Sequence, residues 1–589
     1  MQRNEYVLKN MFGSFFMATV MSALAAQLGN LTDSIVVSHL VSPDALSVFR
    51  IWMPVETLIF IIISLMGAGA RFLSARALGG QDYRKVNIVF NHHLYYVFFS
   101  ALLVIALIWP FAGEVADLLT NNERLNPFLT PFIHAQLITI FIVAVGGTPM
   151  TYIISNGSPR IITQCIIISQ ILNVIFDLLF CGVFDGGIAG ASYATALSEL
   201  LATISLFTYI RKNKNIFYLH NPEKVCKLKV YSECFTIGIP VLLAALMSPV
   251  LFYVLNTLIV YQLGADGMYI FTVYFQINSI CMLTLTGSDT AISSIGGILI
   301  GEEDYDSLRM LMRRIFRLLT VVMLTVSLLL FIFPDMVARL FGATDSLIEQ
   351  TRIPFRLISL TFLPMALSRT LQSLYFVLNH QKLCRWLQIV TKTGEIGIIA
   401  LIALYTPELF WYILPVTTWL LLLVVVAMAY VVHHKNSMYS WPTLQSTVPS
   451  NPAISFSVPY TTEGVEECLT QVRPFVEMCE LPDGMAVDVA LEELLYEIVE
   501  THTEQEHRKD ETFDVRIIDK EKVFTVVLKS KGPLRNPIYK FSNKEVLDIE
   551  ESNMRRAVLS RVCKNISHKY MNGINCIYLN YNRKRRKKS

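Results

Sequence analysis

Ile161–Gly182, IITQCIIISQILNVIFDLLFCG, places Asp177 deep in an apolar run, one helical turn after Asn173. No basic residue within that run can neutralise it. An ionised carboxylate in hydrocarbon costs several kcal/mol or more, so such a group normally faces a protein-lined cavity and takes part in ion movement. Residues four apart share a helix face. Asn173 and Asp177 therefore present an amide and a carboxylate to one place, which points to a cation-coupled membrane transporter.

The rest of the chain agrees. Hydrophobic residues make up 53% and charged residues 16% of the 589, against roughly 25% charged in soluble domains. Mean hydropathy is +0.49. Apolar segments of roughly 20 residues, each long enough to cross a ~30 Å core, recur up to residue 434. They predict twelve helices at 11–40, 48–76, 88–118, 128–155, 160–182, 188–210, 233–263, 267–299, 310–334, 352–378, 384–405 and 408–433. The first span is long and has no small-residue cleavage site, unlike a signal peptide. Counting Met1 as inside, the inside connections hold Arg84, Lys85, Arg160, Arg211, Lys212 and seven further basic residues between Lys214 and Arg385 besides Lys229. The opposite connections hold mainly Arg124, Arg339 and Arg352. The positive-inside rule puts both termini in the cytoplasm of a multi-pass plasma-membrane protein. Ten cysteines form no CxxC pair and no metal-ligand spacing, and read as small apolar residues of a reducing compartment.

The membrane part repeats at an offset of about 222 residues. DSIVVSHLVSPDALSVF from Asp33 is echoed by NTLIVYQLGADGMYIF from Asn256, and LGGQDYRKVNIV by IGEEDYDSLRML. Six spans separate the copies, so the halves share one orientation and are related by an axis along the membrane normal, with the pathway between them.

With these residues the chain resembles the multidrug and toxic compound extrusion (MATE) transporters over residues 10–434. The resemblance rests on the duplication, Asp33-SIVVSHL, Gly79-Gly80-Gln81-Asp82-Tyr83, Asn173-x-x-x-Asp177 and Gly187-Ile-Ala-Gly190-Ala-Ser-Tyr-Ala-Thr195. It implies an all-α polytopic membrane protein of two six-helix bundles, 1–218 and 219–434. The implied activity is not enzymatic and uses no cofactor: export of organic cations, drugs or toxic metabolites in exchange for Na⁺ or H⁺. Cation-binding groups of the family match Asp33, Asn173, Asp177 and Thr195. Depth is consistent with one site. At 1.5 Å per residue Asp177 lies about 25 Å from Arg160 and Asp33 about 30 Å from the inner end of its span, with Thr195 two turns in from the outer side. Carboxylate, amide and hydroxyl oxygens suit a hard cation such as Na⁺, and crowded carboxyls equally suit a proton. The structural alternative is that both acids merely hydrogen-bond neighbouring helices.

Two departures stand out. The first-span proline of many members is replaced by Met17, whereas the second half keeps Pro240. Glu395, at the repeat equivalent of Asn173, follows Lys392 by three residues, so an ion pair on one helix face is favoured over a second cation site. His92 and His93 read as interfacial residues rather than proton relays.

Residues 435–455 are polar and proline-bearing and read as a linker. Residues 456–589 have soluble composition and predict a small cytosolic α+β sandwich, with strands in SFSVPY and DVRIID–FTVVLKS and helices at Val487–Glu500 and Met554–Ser567. The order resembles a histidine-kinase-type ATPase, nearest the anti-sigma-factor serine kinases, through ALEELLYEIVE, LKSKGPLRNP and YMNGINCIYLNY. That resemblance implies a degenerate nucleotide site. Glu497 stands where the Mg²⁺-holding asparagine belongs, Ser530 where the adenine-reading aspartate belongs, two before Gly532, and ESNMRRAV lacks the phosphate-loop glycines. A regulatory or protein-binding role follows, with an inert appendage as alternative. The terminal run Arg583–Lys588 is six cations long and suits anionic inner-leaflet lipid; without aromatic interleaving it does not point to nucleic acid. Two whole-chain alternatives remain: a lipid-linked saccharide flippase of the same superfamily, and a membrane-anchored signalling protein acting through its tail.

Overall fold

The structure, a computed structural model, describes residues 4–41, 43–119, 126–212, 228–341, 343, 345–405, 409–446, 451–481, 484–503, 511–520, 523–532, 566–571 and 573–582. Sequences this apolar leave the backbone no partner in lipid but itself, so the membrane part is helical throughout. Its helices are α1 (Tyr6–Leu40), α2 (Pro43–Ser64), α3 (Gly67–Gly79), α4 (Tyr83–Ile108), α5 (Ala112–Leu119), α6 (Asn126–Ser155), α7 (Pro159–Asp177) and α8 (Gly187–Lys212). Then follow α9 (Leu228–Ala291), α10 (Gly297–Gly301), α11 (Tyr305–Ile332), α12 (Pro334–Leu340), α13 (Asp345–Ser359), α14 (Phe362–Val377), α15 (Gln381–Tyr405) and α16 (Phe410–Lys435). The long α9 is two helices meeting at Gly264, whose φ of 63° and ψ of −152° only glycine adopts readily.

Among the described residues ten stretches are long and apolar enough to cross a membrane. Two of the twelve expected spans fall short. The stretch 352–378 is interrupted at Leu360–Thr361 into α13 and α14, and α15 carries Lys382, Arg385, Lys392 and Glu395.

The duplication is visible in the backbone. Gln81 and Glu303, 222 apart, both take the left-handed conformation, with φ of 58° and 57°. In each turn two N–H groups bond back three and five residues: Gln81 to Leu78 and Asp82 to Ala77, then Glu303 to Ile300 and Asp304 to Leu299. A second pair repeats the device at the same offset. Gly157 (φ 92°) and Asn379 (φ 65°) head turns closed onto Ile154 and Ile153, and onto Phe376 and Tyr375. Side chains at positive φ are uncommon, so the shared geometry is specific. The first two turns also meet reciprocally. A Cβ on Gly79 would lie 2.2 Å from the Ile298 carbonyl oxygen, and one on Gly301 would lie 2.5 Å from that of Arg76. Residues 76 and 79 exchange roles with 298 and 301, as a two-fold axis between the halves requires.

Residues 436–446, expected as linker, are folded onto the helices. Tyr439 and Ser446 form a β-bridge, the Tyr375 hydroxyl donates to the Pro442 carbonyl at 2.7 Å, and Leu444 is fully buried with Tyr375, Leu387 and Val425. The physical reason is Leu444: one large apolar side chain in a polar run finds a dry site.

The chain divides into two compact units, Phe16–Asp304 with Met312–Thr447, and Val448–Ser589 with Met1–Phe15 and Tyr305–Leu311. The second holds β1 (Ala453–Pro459), α17 (Thr462–Met478), α18 (Gly484–Thr503), β2 (Thr512–Asp519), β3 (Val523–Lys531), β4 (Ile566–Met571) and β5 (Ile574–Asn582). The strands form one antiparallel sheet in the order β1-β2-β3-β5-β4. Alternate residues Phe513, Val515, Phe524 and Val526 face a core shared with Val472, Leu491 and Leu495 of the helices. The helix α17 was not anticipated, although Thr461 caps it through Gly464 N–H and Val465, Leu469, Val472 and Val476 recur at helical spacing. YMNGINCIYLNY is a hairpin turning at Gly573 (φ 91°) rather than one strand. Of the expected helix Met554–Ser567, residues 554–565 lie outside the described residues and Ser567 belongs to β4. ESNMRRAV and Arg583–Lys588 also lie outside them.

Within this unit the chain's start is tied to the sheet. Asn4 N–H donates to Ser457 Oγ at 2.9 Å, Thr512 Oγ1 donates to Asn4 Oδ1 at 2.9 Å, and Lys531 Nζ donates to the Tyr6 hydroxyl at 3.1 Å.

Candidate functional site

Three of the expected residues meet. α7 runs to Asp177, after which Leu178–Val183 widens into a π-helical turn, a feature frequent at functional sites. Asn173 and Asp177 are both buried. Asn173 Nδ2 donates to Asp33 Oδ1 of α1 at 2.6 Å and to Asp177 Oδ2 at 3.1 Å, using both amide hydrogens. Its Oδ1 accepts from Ser198 Oγ of α8 at 3.2 Å. The Asp33 and Asp177 carboxyls thus share one amide donor. Asp177 Oδ1 is buried and finds no hydrogen-bond donor among the described residues. Two facing carboxylates with one amide between them repel unless a proton or a cation joins them.

Thr195 is not brought to the carboxyls by its side chain. Its hydroxyl donates to the Ala191 carbonyl of its own helix at 3.1 Å, while its carbonyl accepts from Ser198. Ser198, three residues on, is the hydroxyl that touches the cluster, and it went unnoticed because Thr195 carried the resemblance. One turn inward, Ser169 Oγ donates to Glu199 Oε1 at 2.9 Å. Glu199 was also missed, although Ser169, Asn173 and Asp177 follow at four-residue spacing opposite Thr195 and Glu199.

The second half is arranged differently. Lys392 Nζ sits 3.2 Å from Glu395 Oε2. Asp289, missed in the run 267–299, accepts from Arg369 Nε at 3.0 Å and from Ser373 Oγ at 2.8 Å. His92 and His93, expected at an interface, are buried. His92 Nδ1 contacts the Ile88 carbonyl oxygen at 2.7 Å and its ring packs on Tyr231, while His93 packs on Tyr152. Helix packing is dense enough on that face to cover them.

The family model MatE matches residues 18–179 and 240–383. The chain belongs to the MatE family. It is similar to the multidrug export protein MepA of Staphylococcus aureus strain MSSA476, at 27% identity over 224 residues, 37% of this chain and 48% of that protein. The MepA of Staphylococcus saprophyticus is 23% identical over 219 residues, again 37% and 48%. The chain thus matches about half the length of these relatives. Among solved structures it shares the fold of a MOP superfamily transporter from Pyrococcus furiosus, described by a binding pocket of reverse polarity, with TM-score 0.64 and 17% identity over 72% of this chain and 97% of that one. A MATE protein in complex with MaL6 gives 0.64 and 18% over 70% and 94%. The membrane unit is therefore a membrane-spanning MatE fold.

The family match ends at residue 383, before the tail. Glu497 is buried on α18. Ser530 lies in β3 opposite Asn575. Gly532 N–H donates to the Gly573 carbonyl at 3.0 Å, and its carbonyl accepts from the Tyr570 hydroxyl at 3.1 Å. The Tyr460 ring stacks on His502 at 3.7 Å, and burial pushes the Tyr460 hydroxyl well above its ordinary pKa.

Proposed function

We propose that this chain is a secondary-active efflux antiporter. It exports drugs or other organic molecules in exchange for Na⁺ or H⁺ and is a transporter, not an enzyme. The observation that carries this reading is the buried Asp177 Oδ1, left without a donor beside the Asp33 carboxyl. Asp33, Asn173 and Asp177 hold the coupling ion, with Thr195 and Ser198 shaping the site's α8 wall. An ion or proton arriving from outside removes the repulsion between the acids and lets the first bundle close around them. Substrate binding on the other side of the cycle favours the reverse change. Twelve spans in two bundles, cytoplasmic termini and a tail that regulates rather than hydrolyses nucleotide belong to the same proposal. Its support is the MatE match, the basic inner loops and the self-satisfied backbone of Gly532.

A second reading, a flippase for lipid-linked saccharides, draws on Arg71 and Arg369, which line a cavity in the membrane unit. One experiment separates them. The full chain is reconstituted in liposomes and efflux of a fluorescent drug is followed with Na⁺ and H⁺ gradients imposed separately. One gradient is expected to drive efflux, with the response lost in Asp177→Asn. An undiminished response in that variant, or activity only on an anionic lipid-linked substrate, overturns the antiporter reading.

A further inference from the structure

The membrane unit contains a cavity of 670 Å³, within the roughly 300–1,000 Å³ of small-molecule sites. Five charged side chains line it: Arg71 of α3, Asp289 of α9, Arg369 of α14, and Lys392 and Glu395 of α15. Three are cations and two are anions, so the wall carries one positive charge in excess. The pairing shows where that excess sits. Lys392 is matched with Glu395, and Arg369 with Asp289. Among the described residues Arg71 has neither a hydrogen-bond nor an ion-pair partner, and its side chain is exposed to the cavity.

The donor inventory leans the same way. Arg369 spends Nε on Asp289, but its Nη1 meets only the Met282 thioether at 3.3 Å, a weak acceptor. Gln388 Nε2 donates to Gln372 Oε1 at 2.8 Å, and Gln372 Nε2 donates to Ser368 Oγ at 3.1 Å. Asp289 already accepts on both oxygens. The wall thus offers surplus charged N–H donors, while both of its carboxylates are already engaged by cations. The apolar part of the lining includes Phe72 and Phe376, edge to face at 5.6 Å, with Met282, Met365 and Leu421, beside hydroxyls such as Thr286, Thr290 and Ser293.

We propose that this cavity is a substrate chamber selecting aromatic amphiphiles that carry a carboxylate or sulfonate as well as a positive charge, with Arg71 receiving the anionic group. A bidentate guanidinium–carboxylate contact suits Arg71, the aromatic pair takes the ring system, and the half-exposed Glu395 and Asp289 face the cationic end. A plain lipophilic cation meets net repulsion instead, in a low-dielectric space where charge counts for more. This names the substrate class of the proposed transporter and rests on that reading only for the direction of movement.

The test compares two dyes with one ring system: rhodamine B, a zwitterion, and rhodamine B ethyl ester, a cation. Fluorescence polarisation with the purified full chain in nanodiscs, corrected with empty nanodiscs, gives both affinities. The wild-type chain is expected to bind the zwitterion about tenfold more tightly, about 1.4 kcal/mol. Arg71→Gln brings the two within about twofold by weakening the zwitterion alone, and Arg71→Lys keeps part of the preference. Equal or tighter binding of the ester by the wild type, binding of neither dye, or a preference intact in monodisperse Arg71→Gln overturns the proposal. If Arg71→Gln does not fold, the wild-type and Arg71→Lys ratios decide. Loss of gradient-driven efflux with the preference intact would sink antiport and spare the chamber; the converse would sink the chamber alone.

Discussion

The two halves of the membrane unit repeat their turns faithfully but not the charges within their spans. In the first half Asp33 and Asp177 face one another across Asn173 with no basic partner among the described residues. In the second half Asn256 stands at the counterpart of Asp33 and Ile399 at that of Asp177, and Glu395 at that of Asn173 is neutralised by Lys392. The duplicated backbone supplies two bundles that can rock about a common axis. Among the described residues an acid pair sharing one amide is found in the first half, and on the proposed function it takes the outside cation. On the proposed reading coupling belongs to the first half, whereas cargo meets both, through Arg71 and Phe72 of the first and Asp289, Arg369 and Glu395 of the second.

The largest expected effect breaks that asymmetry directly. Asn173→Ala removes the donor shared by both acids, and hydrogen bonds to charged groups are worth about 1.5–3 kcal/mol each. Gradient-driven efflux should fall roughly 10- to 100-fold, since each 1.4 kcal/mol is tenfold, with the response to the imposed gradient lost, while Glu395→Gln, altered in the cargo cavity, should keep that response. Equal losses would erase the distinction between halves.

Next comes a difference of sign in stability. Asp289→Asn strips Arg369 of its counter-charge and should cost about 1–3 kcal/mol, read as a lowered melting temperature of the full chain in nanodiscs. Asp177→Asn, which relieves repulsion between two acids, should hold or raise it. Sharpening the symmetric part of the comparison, Gly79→Ala and Gly301→Ala should each cost about 1–3 kcal/mol by overpacking. The two costs should be similar, because the carbonyls that the added methyls strike, of Ile298 and Arg76, are themselves related by the repeat.

The smallest effect lies in the tail. Burial lowers the pKa of His568, with a hydrogen bond to Asn575 opposing. The folded form therefore takes up its proton less readily than the unfolded one. Stability is full above the unfolded pKa of about 6.5 and is lost as pH falls towards the depressed folded value. Hydrogen exchange in β4 and β5 should speed up as pH is lowered through that window, after correction for intrinsic exchange, and His568→Gln should flatten the change.

Much of the fold was legible because lipid leaves a backbone few choices. Apolar run lengths located the helices, and an offset of 222 residues located turns that the structure repeats down to individual hydrogen bonds. What escaped was set by contacts between distant segments. Leu444 looked like linker until Tyr375 and Val425 surrounded it. Glu199, Ser198 and Asp289 were visible as polar residues in apolar runs, yet only packing shows that Ser198 reaches Asn173 and that Asp289 holds Arg369. Asn173 and Asp177 were readable as a pair, since an acid in hydrocarbon demands a partner, and Asp33 joined them through the family resemblance and its similar depth. Thr195 was placed by resemblance, which fixes a helix position but not where a hydroxyl donates.

Equilibrium binding of the coupling ion to the purified full chain tests the central claim most directly: Na⁺ by calorimetry, H⁺ by proton uptake in weak buffer. One binding event is predicted in the wild type and in Glu395→Gln, and none in Asp33→Asn or Asp177→Asn. An event that persists in Asp177→Asn, or vanishes in Glu395→Gln, would contradict it.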